Sequence, residues 1–290
     1  TPFLNNTNTN GLEGLGVGPR ATLGTFKGDI TVRTTGAGAD IRFIAPNEAE
    51  GTLGILGSDS YVMLGHGGYK IFGDIEGDIK VESGGGLEFK ALQGTALAPN
   101  TISNHNIAFA QLGHGGYSSG GTYTGEIRVT TAENISFQGA DSINSANAGY
   151  AQLGHGGYST WKGTTDYREA IRDITTGVAP AAVFSTGNTG KIIVKSGGDI
   201  EFLAGKDNAT YAQLGHGGYA SKDSHSGDIE VTAAGGIRFV ASIDDVGGAG
   251  DNPGNNDYAW AQLGHGGYES DGSHSGNITV RAGEFAAGPQ

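Results

Sequence analysis

Apolar and polar residues alternate over short runs along the whole chain. Ala212 and Leu214 flank Gln213, Ile229 and Val231 flank Glu230, and Ile237, Phe239 and Ala241 take every second position. Period-two alternation over four or five residues marks a β-strand with one face buried. Glycines and Asn/Asp/Ser clusters separate the runs as turns. No helical period accompanies them, so the pattern predicts an all-β chain.

The runs recur in a fixed order. The phrase Ala-Gln-Leu-Gly-His-Gly-Gly-Tyr occupies 110–117, 151–158, 212–219 and 261–268, and 62–69 reads Val-Met-Leu-Gly-His-Gly-Gly-Tyr. A Gly-Asp-Ile-x-Val strand follows each copy, as in Gly28–Val32, Gly77–Val81 and Gly227–Val231, and then an Ile/Leu-x-Phe strand such as Ile41–Phe43 or Ile200–Phe202. Leu64 to Ile79 is 15 residues, as are Leu112 to Ile127, Leu214 to Ile229 and Leu263 to Ile278. Fifteen residues before Ile30 stands Leu15, in a degenerate copy of the phrase with Val17 in the histidine's place. Self-similarity at a long period is the signature of a repeat architecture.

Three strands per repeat predict a right-handed parallel β-helix, three-sided and of about six coils. Stacked at ~4.8 Å per rung, six coils span roughly 29 Å. A propeller with blades of ~49 residues is the alternative, but a blade needs four strands. Residues 1–11 read as an N-terminal extension and 12–290 as one solenoid. In the third full copy of the phrase the spacing grows to 39 between Leu153 and Ile192, an insertion of 24 residues at about 160–189. Within it, Asp166 to Ile174 suits one or two helical turns.

Composition narrows the class. Fifty-five of 290 residues are glycine, against an ordinary ~7%. They show no Gly-x-y period and fit tight corners and close backbone approach. The net charge of −13 disfavours nucleic acid and anionic membrane as partners. No apolar run approaches the ~20 residues of a membrane span, so membrane insertion is not expected. There is no cysteine; a continuous solenoid core does not need disulfides. The chain opens at Thr1 without Met or a signal peptide, which reads as a processed chain or an excised piece.

With their Gly/Asn/Ser loops, the Gly-Asp-Ile-x-Val and Gly-x-Ile-x-Phe strands resemble the β-solenoid passengers of filamentous-haemagglutinin-like proteins and large bacterial autotransporters. The Leu-Gly-His-Gly-Gly-Tyr phrase is similar to repeats in giant surface proteins of that kind. The resemblance runs from Leu12 to Phe285. It implies secreted or surface-exposed material that mediates adhesion or builds fibres.

Candidate chemistry lies in residues that keep step with the repeat. His66, His114, His155, His216 and His265 should form a ladder at rung spacing. Each stands two residues after a leucine and so shares its inward face. A structural role, an outward contact row and metal binding are the three readings. One nitrogen per rung, with no carboxylate in step, argues against a metal; no metal or cofactor is expected. Tyr69, Tyr117, Tyr158, Tyr219 and Tyr268 form one aromatic row, and Tyr61, Phe109, Tyr150, Tyr211 and Trp260 another. Such rows stabilise a solenoid or, facing outward, hold glycans or another subunit.

His225 and His274 lie in Asp-Ser-His-Ser and Ser-His-Ser segments and read as polar turns, since triad partners meet from separate segments. Asp244, Asp245, Asp251 and Asp257 crowd one loop without a calcium-motif spacing. No catalytic constellation emerges, so an enzyme is not expected. The apolar residues near the ends (Phe3, Leu4, Leu12, Leu15, Val17 and Phe285) suit head-to-tail contact between copies of the chain. The expectation is an extracellular or bacterial cell-surface fibre or adhesin whose partners are copies of itself, with host or cell-surface glycans a further class. A carbohydrate-binding or carbohydrate-cleaving β-helix is the alternative.

Overall fold

The computed structural model describes residues 25–45, 61–69, 71, 73–91, 108–140, 149–159, 187–205, 210–221, 223–241 and 259–283. Every strand pairs in parallel with its counterpart one coil away, and no described residue is helical. The protein is a parallel β-helix, which sets aside the propeller.

The described strands form four ladders of five or six rungs, one more than the three strands expected, and a short fifth pairs Gly67–Tyr69 with Gly115–Tyr117. The phrase ladder stacks Val62–Leu64, Ala110–Leu112, Ala151–Leu153, Tyr211–Leu214 and Trp260–Leu263. The added ladder, here the corner ladder, stacks Thr25–Lys27, Asp74–Glu76, Tyr123–Thr124, Asn188–Thr189, His225–Ser226 and His274–Ser275. Its members are two or three residues long, too short to show a period. The valine ladder runs through Ile30–Arg33, Ile79–Ser83, Ile127–Thr131, Ile192–Ser196, Ile229–Ala233 and Ile278–Ala282. The phenylalanine ladder runs through Ile41–Ile44, Leu87–Lys90, Ile135–Gln138, Ile200–Leu203 and Ile237–Val240.

Register is held by identical side chains at identical heights. Phe43, Phe89, Phe137, Phe202 and Phe239 stack with ring centroids 4.6, 4.9, 4.8 and 4.9 Å apart. Each such pair contributes about 0.5–1.5 kcal/mol beyond its area. Ile79, Ile127, Ile192 and Ile229 form a fully buried column beside Val81, Val129 and Val194. A one-residue slip would turn all of these outward. Loops absorb differences in length without disturbing the rungs: Ile127 pairs with Ile192 and Ile192 with Ile229, although the two intervals differ widely.

The aspartate of the Gly-Asp-Ile corner has its own task. Asp29 Oδ1 accepts the amide of Asp78 at 2.9 Å, Asp78 Oδ1 that of Glu126 at 2.8 Å, and Asp228 Oδ1 that of Asn277 at 2.8 Å. Each carboxylate ties its corner to the next coil. Asn188 and Thr189 pair with His225 and Ser226, so these two residues belong to the coil.

Candidate functional site

The phrase has a two-sided strand at its heart. Ala110 and Leu112 enter the main core, while Gln111 points the other way and is also fully buried. The chain then turns at Gly113, whose φ is 150°. A Cβ at Gly113 would collide with the carbonyl oxygen of Gly154 one coil on, and Gly154 and Gly215 repeat the relation with Gly215 and Gly264. Only glycine lets successive coils approach here.

This turn aims the histidine inward, across the coil. His114, His155 and His216 are completely buried. The five rings stack at 5.3, 4.8, 4.8 and 5.0 Å. On one side of four of the rings, Nδ1 accepts a backbone amide: His66 N–H donates to His114, His114 to His155, His155 to His216 and His216 to His265, all at 3.0–3.1 Å. On the other side, Nε2 faces the carbonyl of a corner glycine: Gly28, Gly77, Gly125, Gly190 and Gly227, in order, at 2.8–3.0 Å.

These partners fix the protonation state. A nitrogen that accepts an amide proton holds none of its own, and a carbonyl only accepts, so the proton sits on Nε2. The imidazoles of His114, His155, His216 and His265 are neutral struts linking the phrase to the Gly-Asp corner. Burial drives His114 down to about 4 and His216 down to about 3, and holds His155 well below its ordinary value; stacked neighbours push the same way. Asp78 and the Gly77 carbonyl oppose the shift at His114 without reversing it. At His114, His155, His216 and His265 both ring nitrogens are spent on backbone, which leaves these rings no lone pair for a metal. Among the described residues no group of three His, Asp or Glu side chains could hold a metal ion.

Behind the phrase lies a second buried layer. Tyr61, Phe109, Tyr150, Tyr211 and Trp260 stack at 4.6, 4.8, 4.8 and 4.4 Å. Tyr150 donates its hydroxyl to Gln111 Oε1 at 2.9 Å, and Tyr211 to Gln152 Oε1 at 3.2 Å. The glutamine amides donate in turn to carbonyls of the glycine turns, as Gln152 does to Gly217 at 3.0 Å. A rule emerges: the aromatic of one coil donates to the glutamine of the coil before. Phe109 has no hydroxyl, and the residue below it is Met63, which has no amide. Trp260 breaks the rule, and both its Nε1 and Gln213 Oε1 are buried without a partner. Nothing in the sequence reading singled out the glutamines, although they recur at a fixed place in the phrase.

The outer row of Tyr69, Tyr117, Tyr158, Tyr219 and Tyr268 covers this layer. Its rings stack at 5.7, 5.2, 4.5 and 5.5 Å and are half-buried, apart from the more exposed Tyr69. The rings lie face to face, and the Tyr158 hydroxyl is hydrogen-bonded to Tyr219. The residue after each tyrosine bends the chain with a left-handed φ: Ser118, Ser159, Ala220 and Glu269, at 51–54°.

The structure corrects the reading of His225 and His274 as polar turns. Both are strand residues of the corner ladder, on the row that continues Ile75, Tyr123 and Asn188, with rings stacked at 5.0 Å. His225 is fully buried and its Nε2 lies 2.8 Å from Ser221 Oγ. The reading failed because the corner strand is only two residues long.

Of the proposed end contacts, Phe3, Leu4, Leu12, Leu15, Val17 and Phe285 lie outside the described residues, as do Asp244, Asp245, Asp251, Asp257 and most of the insertion. On the outer face of the phenylalanine ladder, Arg42, Glu88, Ser136, Glu201 and Arg238 form one row. Arg42 pairs with Glu88 at 2.7 Å and Arg238 with Glu201 at 2.8 Å in the lining of the shallow grooves there, beside Asp40, Glu133 and Asp199.

Fold and repeat together define a β-solenoid repeat protein. No family model, curated protein or solved structure matches the chain.

Proposed function

We propose that the protein is a structural and interaction protein, a subunit or segment of an extracellular fibre or adhesin that assembles by end-to-end stacking of solenoids. One observation carries this reading: the core rows are bare at the outermost described rungs. Ile278 and Val280 are each 46% exposed, whereas Ile229 and Val231 one coil below are buried. At the other end Phe26, on the row of the buried Ile75, is 45% exposed. A strand edge with apolar side chains and free backbone groups is a template for another strand, and a head-to-tail contact that does not close gives a filament. The phenylalanine, histidine and tyrosine columns suit continuation into a neighbour. The likeness of the strand motifs to haemagglutinin-like passengers supports a surface or secreted location. No helix among the described residues is long and apolar enough to cross a membrane.

The test is mass as a function of concentration, by light scattering and negative-stain microscopy. Association that weakens in Ile278→Lys or Val280→Lys supports the proposal. A wild-type chain that stays monomeric at every concentration overturns it.

A further inference from the structure

The outer tyrosine column carries chemistry that packing does not require. We propose that Tyr158 and Tyr219 form a site of oxidative cross-linking, in which a carbon–carbon bond between the two rings staples the fourth coil to the fifth. Four observations lead there. Their centroids, 4.5 Å apart with planes 8° from parallel, are the closest in the column. The Tyr158 hydroxyl is hydrogen-bonded to Tyr219, and the carbons that couple are those next to the hydroxyl-bearing carbon. Both rings are half-buried, so an oxidant reaches them and they have room to tilt together. The inner pair, Tyr150 and Tyr211, also stacks but is fully buried, with its hydroxyls committed to Gln111 and Gln152.

The step balances with a peroxide as oxidant and a haem peroxidase as catalyst. Each phenol gives up one electron and one proton. The two phenoxyl radicals join at ring carbons beside the oxygens, and the hydrogen on each joined carbon shifts to its oxygen to restore aromaticity. Two hydrogen atoms leave the protein, and the peroxide O–O bond breaks to give two waters. Burial raises the Tyr158 phenol above its ordinary range, so the proton leaves with the electron rather than before it. The stacked column also gives a hole formed at another ring a path to this closest pair. With no cysteine in the chain, the bond would be a covalent brace of a kind disulfides cannot supply here. It closes the segment that contains the long excursion after Ser159, and cross-links stabilise chiefly by restricting the unfolded chain. The proposal stands independently of fibre assembly.

The experiment treats the dilute full-length protein with a haem peroxidase and hydrogen peroxide, with N-acetyltyrosine coupling in a parallel tube as control. The expected result is dityrosine fluorescence in the monomer fraction, a mass lower by two hydrogens, a cross-linked peptide joining residues 158 and 219, and a higher melting temperature. Tyr158→Phe and Tyr219→Phe should each abolish that peptide while keeping the wild-type circular dichroism. Tyr117→Phe should retain it. If either of the first two variants misfolds, the wild-type peptide map and the Tyr117→Phe map still decide the matter. Dityrosine found only between molecules, at other pairs, or not at all while the control couples would overturn the proposal.

Discussion

Acid should unfold this solenoid from its histidine column. The unfolded chain binds a proton on each imidazole with a pKa of about 6.5, whereas the folded values lie below: about 4 at His114, about 3 at His216 and well down at His155. Between the two values the unfolded state holds more protons, so stability is complete above about pH 6.5 and declines as the pH falls through that window. At about 1.36 kcal/mol per pH unit, His114 and His216 each cost about 2 kcal/mol by pH 5, or about 4 kcal/mol together, and His155 adds to the loss in the same direction. That is a large part of the whole stability of an ordinary domain, about 5–15 kcal/mol. Geometry gives the same sign. A proton on Nδ1 would evict the amide of the preceding coil, as at His114 N–H to His155, and set cations about 5 Å apart. Urea unfolding followed by circular dichroism, at about pH 7.5, 6 and 5, measures the loss, and imidazole nitrogen shifts in NMR report the tautomer. An unfolding midpoint unchanged down to about pH 5, or imidazolium signals from His114, His155 or His216 in the folded protein near pH 6, would refute the reasoning.

Tyr211→Phe should cost about 1–3 kcal/mol in urea unfolding, because it strands the buried Gln152 Oε1. Trp260→Tyr should do the reverse and raise stability by about 1 kcal/mol, since a hydroxyl there can meet Gln213 Oε1, now unpartnered; a lower unfolding midpoint would contradict the rule pairing tyrosine with glutamine. Gly154→Ala should destabilise by about 3 kcal/mol or abolish soluble expression, because its Cβ meets the Gly215 carbonyl. Replacing residues 160–186 by Ser-Lys-Asp, the sequence at the same place in the fifth coil, should leave the β-sheet circular dichroism and cooperative melting intact, since surface insertions cost little loop-closure entropy. Loss of folding would make that segment part of the core.

The core was legible wherever a strand ran four or five residues, because alternation then shows which side is buried. Ile229, Val231, Ile237 and Phe239 announce their ladders in this way. The corner ladder was not legible: Asn188–Thr189 and His225–Ser226 offer two residues each, and their strand character comes from the backbone bonds of neighbouring coils. The histidine's distance to leucine favoured an inward direction but left an outward row open, because the turn at Gly113 interrupts the strand between them. Its hydrogen bonds were not legible, since they depend on how far one coil lies above another. Gln111 looked like the solvent-facing member of an alternating strand, and only the chain doubling back through Gly115–Tyr117 buries it. Sequence alternation reports two faces of a strand but not whether a second layer covers the outer one.

The glycine contacts along the phrase make the coil an indivisible unit of length. Gly113, Gly154 and Gly215 each pack closely against a glycine carbonyl of the next coil, and His114, His155, His216 and His265 each take both an amide and a corner carbonyl from the coil before. A partial repeat can satisfy none of these, whereas a whole one satisfies all and adds ~4.8 Å. The protein therefore works as a ruler whose only markings are whole turns: its reach is written in copy number, while loop length changes breadth and never height.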